Sequence, residues 1–409
     1  MPAGAPGTRK RPANDGGAPP ELARSSVLGW ALRRQHLAEG TSGDDVLPVI
    51  EDLLGLHATV PLSPYLQLHA RTTGFVAAQL DSLLDDGRAA RVGCMRRTLF
   101  IETAELVPLV LAATRSLSLR AVRYLEANGL TTEQYESLAE RIVSALTGRA
   151  MTVRQLTAAI GADQRLSPVV TVLCDESRLL RWRSRQGWRS GQPAYRRFDE
   201  VLPGAVPDAR ETTGAVRELV ARYVARYGPV TESDITWWSG LRRATVREAV
   251  DGLTSAGTLV PVTVQDLDGA FLVAATDLET ALAAPPPPAG EVSLLPVLDP
   301  YLQSHAHRSR FVGAAHLPYV VDRGGNATSV VLAGGRVVGV WDNVQAPRPE
   351  ARLLFFEPPA GELRRRVVRA AGELAAFLTG TELPVVECTH MEPLARSTGA
   401  FLSPLRHAH

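Results

Sequence analysis

Apolar residues recur along most of this chain at helical spacing, cut into short runs by turn residues. From Glu21 onward Leu28, Trp30, Leu32 and Leu37 surround a polar Arg33-Arg34-Gln35 face, which predicts a helix. A second apolar helix is expected from about Asp45 to Leu56. It runs into His57-Ala58-Thr59 and a Pro-Leu-Ser-Pro turn, where Ser63 is placed to cap and Pro64 to open a helix starting at Tyr65. Phe75 to Leu84 reads as another helix, stopped by Asp85-Asp86-Gly87. The mixed apolar and β-branched run from Cys94 to Glu102 suits a strand. Thr103 then caps a helix carrying Leu106, Leu109 and Leu111, and helices continue to about Leu146 with a break at Asn128-Gly129.

The pattern then repeats in kind. Helices at 152–160 and 168–180 precede a basic, glycine-containing stretch, RWRSRQGWRSGQPAYRRF. Two helices followed by a hairpin with a Gly-rich tip is the winged helix-turn-helix order. A third set follows: a helix over 212–226, one capped at Thr231 or Ser233 and running through Trp238, one over 243–255, and strands around Leu259 and Phe271. Pro285 to Pro288 form a stiff linker that no helix can cross. Beyond it the texture is β, in SLLPVLDPYL, SRFV, YVVD, SVVLAGGRVVGVWD and ARLLFFE, before a helix over 361–379 and a short strand near Val385.

Composition narrows this picture without overturning it. A chain of 409 residues, 45% hydrophobic and 21% charged, suggests two to four globular modules. Residues 1–20, with Arg9-Lys10-Arg11 amid Gly, Ala and Pro, read as a disordered leader. Of 44 basic residues only Lys10 is a lysine, a bias that fits codon usage in a G+C-rich genome. The net charge of +1 announces no global affinity for nucleic acid, though one basic face is enough. Cys94, Cys174 and Cys388 are scattered, and His305, His307 and His390 form no set with ligand spacing. A reduced cytoplasmic protein with no metal and no cofactor is therefore expected. No apolar run approaches a membrane span or a signal-peptide core.

Four stretches carry a resemblance. GLHATVPLSPYLQLHAR is similar to the G-L-Q-A-Q-x-P segment, with its later Leu and Arg, of the winged-helix DNA glycosylases of the AlkZ/YcaQ type. RVGCMRRTLFIE resembles that family's M-R-G-T-L-H strand, and YGPVTESDITWWSGL its Y-G-P-V-T-x-x-D-x-x-W-W-S-G-L unit. LLPVLDPYLQSHAHRSR and GGRVVGVW resemble its L-L-P-x-x-D segment and its G-x-W hairpin. The resemblance implies an α+β fold of three tandem winged helix-turn-helix units followed by a C-terminal β-barrel. The units would span residues 21–148 (with a helical extension), 149–207 and 208–284, with the barrel over 289–409. It also implies a monomeric, nucleoid-associated enzyme. Such an enzyme hydrolyses the N-glycosidic bond of alkylated or bulky N7-purine adducts or crosslinks in double-stranded, damaged DNA, for repair or for self-resistance to a genotoxin.

In that family a Gln-φ-Gln or Gln-φ-Asp pair does the catalytic work, φ being a small or aliphatic residue. By position His57 and Thr59 inherit it here, a replacement that leaves open a noncatalytic winged-helix DNA-binding protein or regulator. A neutral imidazole can accept a proton from water and a Thr hydroxyl can orient it. For DNA binding the candidates are Arg96 and Arg97 on the first wing. Arg181, Arg183, Arg185, Arg189 and Arg196 join them on the second hairpin, where Trp182, Trp188 and Tyr195 are interleaved to stack or wedge. Arg242, Arg243 and Arg247 stand at the start of the presumed recognition helix. Trp237 and Trp238 read as core, and Arg364-Arg365-Arg366 as a solvated helix face.

Overall fold

The structure, a computed structural model, describes residues 18–117, 121–162, 165–184, 187–206, 212–288, 290–344, 349–394 and 403–405. Most of the expected leader and Arg185 lie outside these residues. None of the described helices is long and apolar enough to cross a membrane.

The stretch around His57 departs from a simple helix-to-loop junction. Asp45 caps the helix Val46–Asp52, which ends sooner than its apolar pattern suggests because Leu54 and Gly55 turn left-handed. Gly55 needs its missing Cβ. An added one would lie 2.2 Å from Glu102 Oε1. Beyond this turn Leu56–His57 becomes a short strand pairing with Leu99–Thr103, whose other neighbour is Ala89–Gly93. The strand expected from Cys94 to Glu102 is thus only half strand. Cys94 to Thr98 forms the hairpin tip, with Arg96 and Arg97 both left-handed (φ 53° and 57°).

A similar correction applies to the second set. The helix expected over 168–180 is Ser167–Asp175, and after left-handed Ser177 the chain enters the strand Leu179–Trp182, paired with Ala194–Arg197. Leu179 and Leu180 are both buried, so the run carries no alternation to distinguish strand from helix. The third set follows its pattern closely: Thr212–Tyr227, Glu232–Ser239 and Arg243–Ser255, then strands Leu259–Val264 and Leu267–Ala274. Thr231 and Asp234 exchange bonds in a capping box, and Gly240 closes that helix with φ 74°. Glu21–Leu22 adds a parallel strand to Leu259–Val264, and the helix expected from Glu21 begins at Arg24. The proline run is packed rather than free. Pro285 O lies so near Gly29 that a Cβ there would approach it to 2.0 Å.

The C-terminal part is an open sheet, not a barrel. Among the described residues its order is Val385–Glu387, Glu350–Phe355, Arg336–Val344, Val330–Ala333 and Val292–Leu295, and the two outer strands do not pair. Closure is unnecessary because both faces are covered. Val367, Leu374 and Leu378 of the helix Gly361–Thr379 pack with Trp341 and Leu353 on one face. On the other, Leu28, Leu32, Tyr301 and Phe311 pack with Leu332 and Val340. SRFV is a turn and YVVD belongs to the helix Leu317–Val320 rather than to strands. Arg364, Arg365 and Arg366 pair with Glu387 or Glu362 on an exposed face.

The C-terminal sheet is locked to the helical part by buried polar contacts. Arg71, fully buried, donates to Asp299 twice (2.7 and 2.8 Å) and to the carbonyls of Gln35 and Gln67. Tyr223 Oη donates to Ser304 O at 2.6 Å, and Trp237 Nε1 to Gln303 O at 3.0 Å. Asp234 accepts from the Ala306 amide at 2.8 Å and pairs with Arg310.

Candidate active site and nucleic-acid interface

The second hairpin and the tip of the first enclose a cleft of about 740 Å³. Thr59, Arg97, Arg115 and Arg181 line it, opposite Asp175 and Glu176 at the end of the helix Ser167–Asp175. Of the two residues at the motif position, only Thr59 reaches this space, and it is exposed. Polar side chains on an arginine-flanked wall can bind a phosphate backbone and order water against it.

His57 lies behind that wall, 6% exposed. Its ring packs on Phe100 at 4.9 Å, the residue opposite it in the strand pairing. Its carbonyl accepts from Gln67 Nε2 at 3.1 Å. Burial, helped by the positive charge of Arg96, holds the imidazole pKa down to about 3, so the ring is neutral at physiological pH. Its Nδ1 has no hydrogen-bond partner among the described residues.

Sequence reasoning missed Glu102. Two positions along from Phe100, it shares the sheet face of His57, fully buried beneath Gly55. Burial pushes its carboxyl pKa up to about 8, so it is protonated at neutral pH. Cys94 Sγ lies 4.0 Å from Oε1. The only sequence signal is an acid inside the apolar run Leu99 to Thr103. Arg115 and Asp175 were also missed, since each sits in a helix end that nothing in the local pattern marks.

The ten arginines proposed for DNA divide by environment. Arg97 and Arg181 face the cleft. Arg96 does not: it is half-buried and stacks on Trp237 at 3.8 Å, with Arg308 on the same ring at 5.2 Å. Arg183 is held by Asp85 through two bonds of 2.6 Å. Arg189 and Arg196 lie over Trp188 and Trp182, each 4.7 Å from the ring centroid. Arg242, Arg243 and Arg247 are exposed at the start of their helix, Arg247 3.5 Å from Glu232. The aromatics of the second hairpin turn inward instead of offering themselves to a groove. Trp188 packs on Tyr65 and Phe377 (4.8 and 5.3 Å), and Tyr195 is buried. Trp238 is core, stacked on Tyr223, while Trp237 seals the contact between the first hairpin tip and the third set of helices.

A mixed α+β chain with basic hairpins around an open polar cleft belongs in class with proteins that act on nucleic acids. Residues 50–377 match the family described as DNA glycosylase AlkZ-like. This chain belongs to that family. It is 25% identical over 374 residues to the interstrand DNA cross-link repair glycosylase of Streptomyces sahachiroi, an alignment covering 85% of this chain and 96% of that one. Its fold is similar to the solved structure of Streptomyces sahachiroi DNA glycosylase AlkZ. The TM-score is 0.71 at 22% identity, with 90% of this chain and all of the other covered.

Proposed function

We propose that this protein hydrolyses the N-glycosidic bond of N7-alkylated or bulky purine adducts, interstrand crosslinks among them, in double-stranded DNA. The observation that carries the reading is Thr59. It stands where the family's catalytic pair is expected and opens onto a cleft flanked by Arg97, Arg115 and Arg181. N7-alkylation leaves the base cationic and ready to depart, so the protein need only hold the backbone and order one water behind C1′. The Thr59 hydroxyl orients that water. His57 supports it from beneath, its neutral ring fixing the short strand from which Thr59 emerges. We read the three helix-and-hairpin sets as winged-helix units closing on the duplex as a single-chain clamp, with Arg242, Arg243 and Arg247 on phosphates. The crosslink-repair name of the Streptomyces sahachiroi relative supports the substrate class.

The test is release of free base, followed by mass spectrometry, from duplexes carrying N7-methylguanine or an N7-linked purine crosslink. Thr59→Ala is expected to slow single-turnover release by about 10- to 100-fold with DNA affinity unchanged. His57→Ala is expected to slow release as well. Release unaffected in both variants would remove these residues from the site. Salt-sensitive DNA binding with no release from either duplex would instead favour a noncatalytic DNA-binding protein.

A further inference from the structure

We infer that Asp175 is the residue that stabilises the sugar cation and takes the proton of the attacking water. The inference rests on the glycosylase reading above. Breaking the glycosidic bond leaves positive charge on C1′ and O4′, and the wall of this cleft is set against that charge. Arg97, Arg115 and Arg181 all line it, while Thr59 is neutral. An anion close to C1′ is needed to offset them.

The cleft is lined by two carboxylates, Asp175 and Glu176. Glu176 is engaged elsewhere, accepting from Tyr135 Oη at 2.5 Å. Asp175 is partly buried and is the last residue of the helix Ser167–Asp175. A negative charge there opposes the helix dipole, whose C-terminal end is already negative. Bound DNA would oppose it too. A carboxylate kept where both the helix and the substrate disfavour it is explained by a task in the reaction.

The step balances as follows. The C1′–N9 bond breaks and its electron pair leaves with N9, cancelling the positive charge of the alkylated base. Water oxygen bonds to C1′, and the proton it loses passes to the Asp175 carboxylate and then to solvent.

Asp175→Asn keeps the shape and removes the charge, and Glu176→Gln serves as the comparison. Single-turnover release of N7-methylguanine is expected to fall about 100-fold in Asp175→Asn and to change little in Glu176→Gln. DNA affinity and thermal midpoint should be unchanged or raised in Asp175→Asn, since a repelled charge has gone. A second readout avoids turnover. Wild type should bind a duplex with a cationic pyrrolidine abasic analogue about tenfold more tightly than one with neutral tetrahydrofuran, and Asp175→Asn should lose that preference. Release by Asp175→Asn within roughly threefold of an active wild type would overturn the assignment and leave the glycosylase reading standing. Failure of the wild type to release any base would overturn both.

Discussion

Glu102 and His57 share one face of a small sheet, and burial keeps both uncharged at neutral pH. Their effects on stability run in opposite directions. Glu102, with its pKa raised to about 8, retains in the folded state a proton that the unfolded chain releases above about pH 4.3. Its stabilising contribution is therefore present in acid and is lost as pH rises towards 8. His57 and His305, both held near 3, stay neutral where the unfolded chain takes up protons below about pH 6.5, so their contribution is lost on acidification. Denaturant unfolding should show wild type losing about 1 kcal/mol between about pH 7 and about pH 8.5, and Glu102→Gln losing almost none. The same loss in both would place the titration elsewhere. His57 and Thr59 were legible because the motif marks their place in the chain. Glu102 was not, because its burial depends on Gly55 crossing above it, a contact made only once distant strands have paired.

Among the elements, those with complete local signals were legible. Thr231, Asp234 and Gly240 bracket the helix Glu232–Ser239 with a capping box and a left-handed glycine, and the amphipathic Arg243–Ser255 follows. The tip of the first hairpin gave no such signal. Nothing in Met95-Arg96-Arg97 announces two consecutive left-handed residues, and the reason for them lies across the molecule, where Arg96 settles on Trp237. The closed barrel failed as an expectation because its sequence words specify strands and say nothing of which strands meet. The tip contact can be tested by comparing two glycines. Gly240→Ala and Gly257→Ala both force an alanine to positive φ (74° and 73°), but only at Gly240 does the new Cβ meet backbone, 2.8 Å from Arg96 Cα. Gly257→Ala should cost about 1 kcal/mol, and Gly240→Ala at least about 1 kcal/mol more. Equal costs would mean that the tip yields freely.

At the scale of the whole molecule, a net charge of +1 conceals how many of the arginines are already engaged. Arg71 and Arg310 sit in buried ion pairs with Asp299 and Asp234, where removing one partner would strand the other. Those left to meet phosphate are few, and salt dependence can count them. Arg97→Ala and Arg181→Ala should each flatten the slope of log affinity against log salt by about 0.9, whereas Arg183→Ala, already tied to Asp85, should change it little. Equal flattening in all three would show that Arg183 leaves Asp85 to meet DNA. The parallel pairing of Glu21 and Leu22 with Thr263 and Val264 also sets a clock on biosynthesis. Leu22, fully buried in the finished protein, emerges from the ribosome long before its partner strand exists. At ordinary translation speeds the wait is on the order of 10 to 50 seconds. During that interval the first segment to be made stays exposed to the cell's chaperones and proteases, and it is among the last to fold.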